Sequence, residues 1–140
     1  MEPTIEPGQT VQPAGSKPPK KVLCIEDERF IGELYIRALK KAGYDATLEV
    51  DGAKGLVMAQ SDQYDIILLD LMIPNVTGIE ILRTLRDPAK TPHFKGKIVI
   101  TTNLEQRDDV RDDIEKQADA YIVKAELTPN ELVEFVDNIA

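Results

Sequence analysis

The sequence predicts an α/β fold: a three-layer sandwich with helices on both faces of a five-stranded parallel sheet. Ile66-Ile67-Leu68-Leu69 is an unbroken apolar run without alternation, too short for a free-standing helix, as a strand covered on both sides requires. Three other short apolar segments and one half-polar one recur along the chain, and each of the five is followed by a stretch with helical spacing. With 140 residues, 42% hydrophobic and 30% charged, the chain is long enough to bury one real core.

Residues 1–20 hold Pro3, Pro7, Pro13, Pro18 and Pro19 and hardly an apolar side chain. Such a segment cannot bury enough surface to offset its ordering entropy, so it reads as a disordered Pro-rich tail, with the folded domain at 21–140. Strand one is Val22 to Glu26. Ile31, Leu34, Tyr35, Ala38, Leu39 and Ala42 then recur at helical spacing, and Gly43 supplies a stop. Ala46 to Val50 is half-polar, as an edge strand would be. Helix two runs from about Ala53 to Gln60, with Asp51 as N-cap. Strand three is Ile66 to Leu69, and helix three is Gly78 to Arg86. Strand four is Ile98 to Thr101, and Val110, Ile114 and Ala118 mark helix four. Strand five, Ala120 to Val123, ends at Lys124. The last helix opens on a capping box, Thr128-Pro129-Asn130-Glu131, with Leu127 and Leu132 placed to form a hydrophobic staple.

A net charge of −8 and a pI near 4.7 argue against direct binding to nucleic acid, which needs a basic face, and against anionic membrane surfaces. The lone cysteine, Cys24, excludes an intramolecular disulfide and reads as a buried thiol. No apolar run reaches the length of a signal-peptide core or membrane span, so a cytoplasmic location is expected.

Parallel strands share one carboxyl edge, where ligand and catalytic groups gather in open α/β sheets. That edge would bring together Glu26 and Asp27 from strand one, Asp70 from strand three, Thr101-Thr102-Asn103 from strand four and Lys124 from strand five. Taken singly, Asp70 reads as a turn cap and Lys124 as a surface lysine; together they read as a site. Carboxylates ~4 Å apart repel by about 4 kcal/mol per pair at an effective dielectric near 20, so one protonates or a cation sits among them. Oxygen-only ligands favour Mg²⁺ or Mn²⁺, and the absence of Cys and His from the set argues against zinc. A metal, a carboxylate, a hydroxyl and an ammonium suit phosphoryl transfer, in which the carboxylate itself can be the nucleophile.

Ile25-Glu26-Asp27-Glu28, Asp70-Leu71-Met72-Ile73-Pro74 with Gly78, Ile100-Thr101-Thr102 and Tyr121-Ile122-Val123-Lys124 resemble, in order and spacing, the receiver domain of two-component response regulators. The resemblance covers about Lys20 to Ala140. It implies a flavodoxin-like (βα)5 fold with strand order 2-1-3-4-5, and Mg²⁺-dependent transfer of a phosphoryl group to Asp70 from a histidine kinase or histidine phosphotransfer protein. By position, Asp27, Asp70 and the main-chain carbonyl of Met72 would ligate the metal, with Glu26 acting through water. Thr102 and Lys124 would contact the phosphoryl group, and Tyr121 would be the aromatic switch. Signalling would pass to a downstream protein through the face of helix four, strand five and helix five.

Three positions depart from the family pattern. Glu26 stands where Asp is commoner, Ala125 follows Lys124 where proline is usual, and Asn103 replaces a very small residue. The apolar Met72 and Leu104, near positions that tune hydrolysis in the family, predict slow self-dephosphorylation. With no helix-turn-helix region and no segment after Ala140, a single-domain regulator or phosphorelay shuttle is expected, rather than an enzyme. The rivals are a binding module that switches without phosphorylation and a Mg²⁺-dependent small-molecule phosphatase. The aspartate-nucleophile phosphatases place a second Asp where Met72 stands.

Overall fold

The computed structural model describes residues 18–103 and 108–140. The Pro-rich stretch 1–17 and Leu104 lie outside them. Strands β1 (Lys21–Ile25), β2 (Asp45–Glu49), β3 (Ile66–Asp70), β4 (Lys97–Thr102) and β5 (Ala120–Val123) alternate with helices α1 (Arg29–Lys41), α2 (Gly52–Gln60), α3 (Gly78–Arg86), α4 (Asp108–Gln117) and α5 (Pro129–Ile139). All strand pairs are parallel, in the order β2-β1-β3-β4-β5. The expected fold and strand order are both present.

Strand alternation divides the core into two layers. Leu23, Ile25, Ile67, Leu69, Ile98 and Ile100 face Ala59 of α2, Ile81, Leu82 and Leu85 of α3 and Ile114 of α4. Val22, Cys24, Ile66, Leu68, Val99 and Ile122 face Tyr35 and Leu39 of α1 and Leu132 and Val136 of α5. Every residue of β3 is buried, as its unbroken apolar run requires.

Small boundary shifts have local causes. Asp70 is the last residue of β3 rather than the first beyond it, because Leu71 N–H continues the pairing to Thr101 O at 3.3 Å. Strand β4 runs on through Thr102, which pairs with Val123. Glu26 falls just after β1, although its N–H still bonds Glu49 O at 3.1 Å. The predicted caps form: Asp51 accepts from Lys54 N–H, and the Thr128/Glu131 box closes in both directions.

Candidate functional site

Strands β1, β3 and β5 deliver charged side chains to one part of the carboxyl edge. Cys24, Leu68 and Ile122 all lie in the α1/α5 layer, and Glu26, Asp70 and Lys124 each follow one of them by two residues. Alternation therefore starts all three on the same side of the sheet. Thr102 has the opposite parity, that of Ile100 and its register partner Tyr121, both in the other layer.

The groups meet. Lys124 Nζ donates to Glu26 Oε2 and stands 3.2 Å from Asp70 Oδ2, with all three side chains at most 4% exposed. Asp70 Oδ1 accepts from Met72 N–H at 3.1 Å, and Glu26 Oε1 accepts from Glu28 N–H at 3.2 Å. Asp27 is exposed at the rim, and Glu26, Asp27 and Asp70 each offer a carboxylate oxygen within 4.8 Å of the others. Thr102 is buried, Tyr121 is half-buried, and the Met72 side chain is 70% exposed beside the site. His93 is exposed in the α3–β4 loop.

The loop after β3 is tied down along its length. Asn75 adopts φ 72°, a left-handed conformation that Asn tolerates, and its side-chain N–H donates to Asp51 Oδ1 at 2.5 Å. Thr77 caps α3 by accepting from Glu80 N–H. Gly78 N–H reaches Leu71 O at 3.1 Å, and a Cβ there would meet Leu71 Cα at 2.6 Å and collide with the Asp70 carbonyl. Only glycine allows α3 to start this close to the end of β3.

Burial pushes the Glu26 carboxyl up to about 7, more than the hydrogen bond from Lys124 pulls it down. Burial likewise raises Asp70, against the Met72 N–H and Lys124. Burial alone would lower Lys124, but its bond to Glu26 and the charge of Asp70 outweigh this and hold the ammonium above its usual range. The site thus holds one internal cation between two buried acids, with the exposed Asp27 carboxylate close to both acids. All-oxygen donors are the set that a hard divalent ion takes. Ligands ~2.1 Å from Mg²⁺ lie up to about 4.2 Å apart, so carboxylate oxygens within 4.8 Å of one another need only a small side-chain rotation to share one. These residues fit such an ion.

One contact had no signal in the sequence. Arg111 of α4 lies over the Tyr121 ring, 4.6 Å from its centroid, and also bonds Glu115 at 3.0 Å. The dense charge of helix four reads equally well as plain solvent exposure.

A doubly wound parallel sheet with acids flanking the gap between β1 and β3, where the strand order reverses, defines an α/β protein with a switch-point site. The family model described as "response regulator receiver domain" matches residues 22–137, and the chain belongs to that family. Response regulator ArlR of Staphylococcus saprophyticus is 41% identical over 104 residues, and that of Staphylococcus haemolyticus 38% over 103. Each alignment covers 74% of this chain, which spans 45% of the length of those relatives. Among solved structures, the receiver domain of Francisella response regulator 1452 superposes with TM-score 0.74 at 25% identity, covering 86% of this chain and 95% of that one. Vibrio cholerae CheY4 gives the same TM-score at 24% identity, covering 87% and 99%. Phosphorylation and Mg²⁺ binding are typical of the family, whose role is two-component signalling.

Proposed function

We propose that Asp70 is the phosphoryl acceptor of a receiver unit spanning 21–140, charged by a histidine kinase or a histidine phosphotransfer protein. The observation that carries this is the buried Asp70 carboxylate, 3.2 Å from Lys124 and within 4.8 Å of the Glu26 and Asp27 oxygens. The family match over 22–137 supports both the unit and the class of donor.

An Asp70 oxygen attacks phosphorus as the P–N bond of the donor phosphohistidine breaks. An acyl phosphate forms, and the imidazole leaves with the electron pair and takes a proton from solvent. Asp27, Asp70 and the Met72 carbonyl would hold Mg²⁺ (or Mn²⁺), with Glu26 acting through water. The ion, when bound, offsets charge on the phosphoryl oxygens. Lys124 turns from Glu26 toward a phosphoryl oxygen, and the Thr102 hydroxyl donates to another. The adduct adds about −1.5 to −2 charge. Tyr121 then follows Thr102, biasing the α4-β5-α5 face between two populated states that a downstream protein distinguishes.

The chain changes only its own phosphorylation state, so it is read as a signalling component and not an enzyme with turnover. The acidic charge supports protein rather than nucleic-acid or membrane partners. No helix among the described residues is long and apolar enough to cross a membrane, and the family match supports a cytoplasmic location. Beryllofluoride with Mg²⁺, a stand-in for the phosphoryl group, should move the Tyr121 ring resonances. Bound beryllofluoride with an unmoved Tyr121 would favour a module that signals by contacts alone.

A further inference from the structure

We propose that the free edge of β2 is a docking site for an extended segment of a partner protein whose residues alternate between acidic and apolar. Strand β2 lies at the end of the sheet and, among the described residues, pairs only with β1, so its other side offers backbone groups to an incoming strand. What flanks that edge differs sharply between the two faces of the sheet.

On the α1 side a groove of about 530 Å³ is lined by Arg29, Arg37 and Lys40, with Glu33 as its acid, beside Ala46 and Leu48. Three cations on one helix stand out in a chain of net charge −8. Among the described residues only Arg29 of the three has an acidic partner within 4.0 Å, Glu33. On the α2 side lies a mainly apolar shelf of Ala53, Val57 and Met58, with Lys54 as its cation and Val57 69% exposed. Glu49, which borders the shelf, has its carboxylate turned onto its own chain, where it accepts from Val50 and Asp51 N–H at 2.8 and 3.1 Å.

Successive side chains of a strand point to opposite faces. A segment added to β2 therefore sends every second residue toward the cations and the others toward the shelf. Acidic residues suit the first set and aliphatic residues the second. Main-chain pairing supplies affinity and the two flanks supply specificity. Strand β2 lies two strands from β3, which ends at Asp70, and the docking does not use the Asp70 carboxylate.

The test is titration of the full chain with a labelled peptide of about eight residues alternating Glu and Val, with an alternating Lys and Val peptide as control. Binding of the acidic peptide alone is expected, with amide shifts and slowed hydrogen exchange along Asp45–Glu49. A double variant, Arg37→Glu with Lys40→Glu, should weaken it at least about tenfold, and Val57→Asp about threefold to tenfold. Native amide spectra of both variants show that they fold. No binding at ~1 mM peptide, equal binding of the basic peptide, or shifts that spare β2 would overturn the proposal. So would β2 protection that rises with protein concentration alone, which would assign the edge to a second copy of the chain.

Discussion

The ammonium of Lys124 lies between two buried acids, donating to Glu26 and standing 3.2 Å from Asp70. Without an added ion this lysine is the internal counter-charge of the pocket, and it is the group that must turn to meet a phosphoryl oxygen. Lys124→Met keeps the side-chain length and removes the charge. Breaking a buried ion pair by deleting one partner costs ~3–5 kcal/mol where the remaining charges cannot be neutralised. Denaturant unfolding should show most of that loss at pH 8 and little at pH 5, where the acids take up protons instead. A pH-independent loss would mean that packing, and not charge, was removed.

Glu26 sets a pH dependence of its own. Its folded-state value is raised from 4.5 to about 7, so it binds its proton more tightly folded than unfolded. The stability it contributes is fully present below 4.5 and is lost as pH rises through about 7. The metal-free chain should lose thermal stability across that window, at about 4 °C per kcal/mol for a domain of this size. Glu26→Gln, which cannot ionise, should flatten the slope. A melting profile with the same slope in both proteins would contradict the assignment.

Gly78→Ala tests the junction between β3 and α3. The added methyl meets the Asp70 carbonyl and Leu71 Cα, both backbone, so the loop must move. Overpacking of this kind costs about 1–3 kcal/mol, and phosphorylation should fall further than stability alone explains. Acetyl phosphate labelling below the unfolding transition separates the two effects. Full labelling would show that the close approach does not position Asp70.

Arg111→Ala removes the cation over the Tyr121 ring. At an exposed site such a contact holds ~0.5–1 kcal/mol, equivalent to a twofold to fivefold change in side-chain populations. The Tyr121 ring resonances of the unmodified variant should shift part of the way toward those of the beryllofluoride form. Unchanged resonances would mean that Arg111 does not restrain the ring.

Met72 is apolar and 70% exposed beside the site, so it offers no group to orient a hydrolytic water. Loss of label from purified phosphoprotein should be slow, and a half-life of seconds would contradict this.

Much of the candidate site was legible in the chain because each of its three buried charged residues stands at the end of an apolar strand. In a parallel sheet those ends are neighbours whatever the loops do. Asp70 after Ile66–Leu69, Glu26 after Val22–Ile25 and Lys124 after Ala120–Val123 needed only that rule. Three features were not legible. The bond between Asn75 and Asp51 joins two loops whose approach depends on tertiary packing. The stacking of Arg111 on Tyr121 depends on where α4 settles over β5. The contrast between the flanks of β2 appears only once α1 and α2 lie on opposite faces of the sheet. Periodicity identifies which side of a helix is buried and says nothing about which neighbour the exposed side meets.

The most direct measurement is incubation with acetyl phosphate and Mg²⁺, followed by intact mass and mapping of the modified residue. One phosphoryl group on Asp70 is expected, absent when Mg²⁺ is chelated and absent in Asp70→Asn. A chain that stays unmodified, or that carries the same labile adduct in Asp70→Asn, would contradict the account.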